Sequence, residues 1–278
     1  MRRICILIAL LMPLMASAQN AKILSSTKDT IPAADGGPTS HINLEFVTSA
    51  NAYLTEGQFD EAAFKLNRVR LEIFGRLNQH LSYHFRQSFN KYSNPHSVDN
   101  LSSSIEYANI KWHQSDLFEV VAGKQFVNLA GYEGYLNALE VREFCNFNEN
   151  VSVYQAGVMG VLHPNKNNDL SLQVTNIRSG SDADQYVYGL PEGVEPAKIP
   201  VLATANWNGW FADKTVHLMY SASAGQQAKG KNIYYLMCGN IYEKGPVIAY
   251  LDVLYSREGI DSQQRITTLQ GSNMGLVP

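Results

Sequence analysis

Basic side chains recur at two-residue spacing in the first half of the chain: Arg68 and Arg70, then Arg76 on the same parity, with His84 and Arg86 in the next segment. Residues two apart on an extended strand share a face, so Arg68, Arg70, His84 and Arg86 form one basic patch, with Arg76, Lys111 and Lys124 close to it in the strand pattern. A guanidinium fork donates in two directions and suits the oxygens of phosphate or carboxylate. Anion binding is therefore the chemistry this patch could perform. Glu72 and Glu119 carry the opposite reading, in which they neutralise Arg86 and Lys111 and the charges are ordinary members of a polar face. A second set, Glu133, Glu140, Arg142 and Glu143, lies in a long connection at residues 127–150, where Leu136, Leu139 and Phe144 are compatible with a short helix. Folded inward, that connection would be a constriction with these four as gate residues; laid outward, it would be a surface loop.

No catalytic constellation accompanies them. The chain has no G-x-S-x-G, H-E-x-x-H, G-x-x-x-x-G-K-[ST] or C-x-x-C spacing, so a nucleophile elbow, zinc helix, phosphate loop or redox pair is not expected. The 7 His are dispersed, and no catalytic residue, metal or cofactor is assigned. Asp182 and Asp184 are read as an acidic loop in preference to a calcium site. With Lys+Arg 22 against Asp+Glu 25, the formal charge of -3 argues against a nucleic-acid partner. A hydrophobic fraction of 45% with 17% charged residues excludes disorder and coiled coil.

Residues 1–18 read as a cleavable secretory leader, with Arg2 and Arg3 as the charged start, an apolar stretch, and Ala16-Ser17-Ala18 as the small-residue cleavage site. The run is too short for an anchor, and Pro13 interrupts it. Cys145 and Cys238 remain after cleavage, too few and too far apart for a disulfide scaffold. Residues 19–40 form a flexible lead-in, and residues 41–278 a single β domain.

The elements that must position the patch follow period 2. Segments alternate apolar and polar residues, are rich in Tyr, Phe, Val and Ile, and are separated by turns. In a first hairpin, Leu77 falls opposite Leu81, Gly75 opposite Tyr83, Ile73 opposite Phe85 and Val69 opposite Phe89, which sets Glu72 opposite Arg86. In a second, Ala108, Ile110 and Trp112 face Ala122, Val120 and Phe118 across a loop at residues 113–117, setting Lys111 opposite Glu119 and Tyr107 opposite Gly123. A one-residue slip would turn every side chain over, and unlike charges meet in both registers. Further segments are expected at residues 41–53, 155–163, 170–177, 199–207, 214–223, 233–242 and 247–255, with a twelfth strand near 265–270. Long connections are expected at 92–102, 127–150, 178–198 and 224–232.

Large charges on the polar faces need water, and the opposite faces need either lipid or a second sheet. Strand length, export, asymmetric loops and aromatics near segment ends (Phe64, Phe74, Phe89, Tyr92, Trp112, Phe118, Trp207, Trp210, Tyr255) favour an antiparallel transmembrane β-barrel of about 12 strands. A secreted β-sandwich binding protein is the alternative.

Residues 60–135 resemble the phosphate-selective porin O and P family in its Bacteroidetes-type outer-membrane form. The likeness rests on FKLNRVRLEIFGRL at 64–77, LSYHFRQSF at 81–89, IEYANIKW at 105–112 and EVVAGKQFVNLAGYE at 119–133. The resemblance implies an outer-membrane channel for small hydrophilic solutes or anions, set in outer-membrane lipid, with a homotrimer as the candidate assembly. It also implies about 16 strands, more than this pattern supplies, so the chain is read as a shortened or truncated member.

Overall fold

The computed structural model describes residues 37–90, 99, 101–136, 145, 151, 153–178, 180, 186 and 189–261. The leader, most of the lead-in, the twelfth segment, Tyr92 and the pair Asp182 and Asp184 lie outside the described residues. Alternating sequence becomes strand throughout: β1 (Thr39–Thr55), β2 (Gln58–Arg76), β3 (Leu81–Ser88), β4 (Ile105–Ser115), β5 (Phe118–Phe126), β6 (Tyr154–Asn165), β7 (Asn168–Asn176), β8 (Val201–Phe211), β9 (Val216–Ala228), β10 (Lys231–Lys244) and β11 (Val247–Glu258). Among the described residues one short helix, α1 (Tyr132–Tyr135), interrupts them. All eleven strands are consecutive members of a single antiparallel sheet, with β1 and β11 as its edges. The sandwich alternative does not fit this topology, because among the described residues no second sheet covers the apolar side.

The sheet is inside-out relative to a water-soluble protein. Gln173, Thr175, Thr204, Asn206, Glu119 and Arg86 are buried, whereas Leu44, Ile110, Val158, Leu172, Leu236 and Val253 on the opposite face are exposed. Period 2 keeps the two sets apart across neighbouring strands: Gln173 pairs with Thr204 while Leu172 pairs with Ala205. Connections segregate by edge. The β2–β3, β4–β5, β6–β7, β8–β9 and β10–β11 turns are short and share one edge; the long β3–β4, β5–β6 and β7–β8 connections share the other. This is the loop asymmetry of outer-membrane barrels.

The first hairpin has the expected register, with Gly75 opposite Tyr83, Ile73 opposite Phe85 and Glu72 opposite Arg86. The second is shifted by two residues: Ile110 pairs with Ala122, Trp112 with Val120, Asn109 with Gly123 and Lys111 with Val121. An irregularity between His113 and Ser115 lets both strands run on to a tighter turn, and an even shift keeps every side chain on its expected face. Lys111 still reaches Glu119 diagonally, at 3.3 Å.

Residues 224–232 are not a long connection. β9 continues to Ala228 and turns at Lys229 and Gly230, because the polar Gln227 belongs to the buried face and its amide oxygen accepts from the Gly259 and Ile260 N–H groups at 2.9 and 3.1 Å. β1 and β2 are joined by a two-residue turn, Glu56 and Gly57, both with positive φ, as a strand-matched hairpin requires. Among the expected interfacial aromatics, Phe74 and Trp210 point inward. Phe74 lines a recess in the polar face, and Trp210 is buried there against His217. On the outer face Trp112, Phe211, Tyr220 and Tyr242 sit toward the short-turn edge as an aromatic girdle.

Candidate functional site

The basic patch lies on the buried, polar face of β2 to β4, and most of it is paired. Arg86 is held on three sides: its Nε donates to Glu106 Oε2 at 2.7 Å, its Nη2 to the Tyr154 hydroxyl at 2.7 Å, and its Nη1 lies 3.8 Å from Glu72 Oε1. The guanidinium also sits over the Tyr107 ring, 4.4 Å from the centroid, an arrangement that suits a planar cation. His84 Nε2 meets Glu72 Oε1 at 2.8 Å and stacks on the other side of this cluster against Tyr107. Arg70 lies 3.4 Å from Glu45 Oε2 and 3.3 Å from Glu106 Oε2, ion pairs without hydrogen-bond alignment. Arg68 donates to Glu45 Oε1 at 3.3 Å. Lys124 is buried 2.9 Å from Asp99. Arg76 differs: among the described residues it has no ion pair, and it lines the recess beside Lys111.

Two of these carboxylates were not apparent in the sequence. Glu106 belongs by strict alternation with the outer face, yet its residue is 1% exposed. Where β3 meets β4, Arg86 pairs with Tyr107 and Gln87 with Ile105, so Glu106 is the extra residue of a bulge and turns inward. Glu45 comes from β1, where Arg70 is its direct cross-strand partner. A buried charge left without its partner is costly, which explains why this network is balanced. A second polar cluster joins β4 to β7 near the short turns: His113 Nδ1 lies 3.0 Å from Glu119 Oε2, and His163 Nδ1 lies 2.6 Å from Asp169 Oδ1.

The connection after β5 crosses the polar face. The Asn128 N–H donates to Gln173 Oε1 at 2.8 Å, and the Asn128 side-chain amide donates to Ser171 Oγ at 2.9 Å. Its carbonyl accepts from Asn206 at 3.3 Å, the Leu129 carbonyl accepts from Ser221, and the Tyr132 N–H donates to Asp252 at 2.7 Å. The path therefore runs from β5 past β7, β8 and β9 to β11. Inward-facing polar residues of the wall replace the backbone partners that a strand would have supplied. Val127 and Leu129 pack on Leu202, Ile233, Tyr235 and Met237, an apolar cluster on the inner face. Gly131, at φ 95, presses its backbone onto Gly239, where an added Cβ would stand 2.9 Å from Gly131 Cα. Tyr135 follows, edge-on to His217, and burial pushes its phenol above the ordinary range, so it remains a neutral donor.

Of the expected gate residues, Glu133 accepts the Cys145 N–H on both carboxylate oxygens at 2.9 and 3.1 Å, while Glu140, Arg142 and Glu143 lie outside the described residues. Cys145 and Cys238 are separate free thiols.

Comparison with known proteins agrees with this architecture. No curated protein matches the chain. A family model, phosphate-selective porin O and P, matches residues 42–275. That span takes in β2 to β11 and all but the first three residues of β1, so the chain belongs to the phosphate-selective porin O and P family.

Proposed function

We propose that the protein is an outer-membrane porin through which small hydrophilic solutes diffuse passively, anions such as phosphate being preferred, and that it acts as a channel without enzymatic chemistry. One observation carries this reading: a single antiparallel sheet buries charged, hydrogen-bonded residues on one face and exposes an apolar surface on the other. Such a wall is stable with acyl chains outside and water within. The anion preference rests on Arg76, the cation of the patch that no acidic group offsets among the described residues, next to Lys111. Arg68, Arg70 and Arg86 are matched by Glu45, Glu72 and Glu106 and act as scaffold. The segment after β5 narrows the path. Lipid is the partner of the outer face, and a homotrimer is the assembly that cross-linking would reveal.

The test is electrical. Refolded full-length chain in planar bilayers should show stepwise conductance in KCl, with a reversal potential on the anion side under a salt gradient. A chain that stays soluble without detergent and carries no current would refute the proposal.

A further inference from the structure

The outer face of β7 to β11 is not uniform. Ala203, Ala205, Ala222 and Ala224 are all exposed there, and the register sets Ala203 opposite Ala224 and Ala205 opposite Ala222. Four such small side chains on two adjoining strands leave a depression, a groove of about 520 Å³. Leu172 forms one wall, and Tyr234, Leu236 and Tyr255 the other. Toward the short turns the next outward pair is Trp207 and Tyr220, whose rings stand 5.5 Å apart. Both are fixed, the indole N–H donating to Asn168 Oδ1 at 3.0 Å and the phenol to Asn240 Oδ1 at 3.2 Å. The groove is therefore stopped at that end. At its other end stands Arg257, directly opposite Tyr234, and among the described residues it has no ion pair.

Depth in the membrane identifies what meets that cation. The outward residues of β11 are Val247, Ala249, Leu251, Val253, Tyr255 and Arg257, a single charge at the end of an uncharged series. Val247 follows the short β10–β11 turn, and Arg257 lies ten residues beyond it. At about 3.4 Å per residue and a tilt of about 40°, this separation is roughly 26 Å along the bilayer normal. The apolar band of an outer-membrane barrel is about 25 Å tall, so Arg257 stands at headgroup level on the side of the long connections. Ala224 shares that level through Tyr234, and Tyr220 is four residues below it, so the groove runs roughly 10 Å along the normal and stays within one leaflet. Long connections mark the outer side, where the lipid is a phosphorylated, multiply acylated glycolipid. An arginine among acyl chains is costly, whereas at headgroup depth its fork can hold a phosphate through two hydrogen bonds.

We propose that this groove binds the anionic glycolipid of the outer leaflet, with one acyl chain over the four alanines, its end against Trp207 and Tyr220, and a phosphate on Arg257. The inference rests on the membrane reading of the outer face and names the lipid that this face selects. Such a lipid satisfies both the alanine floor and the cation; the apolar outer face of a second copy would satisfy the floor alone.

Detergent-purified full chain is titrated with hexa-acyl lipid A bearing two phosphates, with the same lipid dephosphorylated, and with zwitterionic phosphatidylethanolamine, and bound lipid is read by native mass spectrometry. The diphosphorylated lipid should bind about tenfold or more tightly than either other probe, the gain expected from hydrogen bonds between charged groups. Arg257→Gln should remove most of that preference. Ala222→Phe fills the groove and should weaken both forms of lipid A about tenfold. Both substitutions lie away from the polar face, so unaltered single-channel conductance reports that each variant has folded. Equal affinity for the two forms of lipid A, or a preference untouched by Arg257→Gln, overturns the site. So does loss of a cross-linked oligomer in Ala222→Phe with lipid binding unchanged, which would seat a second copy in the groove. Stepwise conductance without phosphate discrimination would refute the site and retain the channel. Discrimination without current would refute the channel and retain the site, and a chain that stays soluble without detergent would refute the membrane reading on which both depend.

Discussion

Replacing Glu106 with Gln removes one negative charge from the most deeply buried carboxylate of the network while keeping its shape. Arg86 then loses its 2.7 Å charged acceptor and Arg70 its 3.3 Å partner, leaving Glu72 at 3.8 Å and Glu45 at 3.4 Å to hold them. Removing one member of a buried pair costs about 3–5 kcal/mol, and the remaining acids should reduce this to about 2 kcal/mol. The same change raises the charge of the inner wall by one. A unit charge about 6 Å from a passing ion in water contributes about 0.7 kcal/mol, and screening at 0.1 M salt leaves about 0.4 kcal/mol. Anions gain by that amount and cations lose by it, so the anion-to-cation permeability ratio should rise about threefold to fourfold. Reversal potentials under a KCl gradient read the ratio, and the temperature of loss of the heat-modifiable band reads the stability. A ratio that stays constant or moves toward cations, in a variant that still inserts, would show that Glu106 does not face the ion path.

Arg76→Ala should lower the anion-to-cation ratio by a similar factor of about three without a stability loss, because no ion pair is broken; gradient measurements decide it. Gly239→Ala places a Cβ 2.9 Å from Gly131 Cα and should lift the crossing segment off β10, raising single-channel conductance. Asp252→Ala removes the acceptor of the Tyr132 N–H and should act in the same direction, seen as larger or noisier current steps; an unchanged conductance in both variants would mean that the segment does not narrow the path. Arg68→Ala combined with Arg70→Ala should reduce anion over cation permeability and leave Glu45 unmatched, so this double variant should also melt earlier than Arg76→Ala.

The arrangement also explains why an apolar exterior and a charged interior coexist without a conventional core. Backbone hydrogen bonds run from each strand to the next, so the sheet itself satisfies the main chain, and side chains need only match the medium they face. One apolar cluster of the inner face, Leu202, Ile233, Tyr235 and Met237, is covered by Val127 and Leu129 of the crossing segment.

Alternation along the chain determined which residues share a face, and with it the register of the β2–β3 hairpin, because any odd slip would expose Arg70 and Arg86 to the apolar side. It also determined the strand-rich, all-β character and the edge that carries the long connections. Tertiary structure alone decided the rest. Glu106 joins the arginines through a bulge, and a bulge breaks the very parity from which a face is read. Glu45 reaches Arg70 from a strand more than twenty residues away, and the two-residue shift of the β4–β5 hairpin preserves every face, so alternation cannot detect it. The route of the segment after β5 depends on polar groups of β7, β8, β9 and β11 converging on one side. Period 2 is a local property of one strand, whereas these contacts depend on how the whole sheet curls.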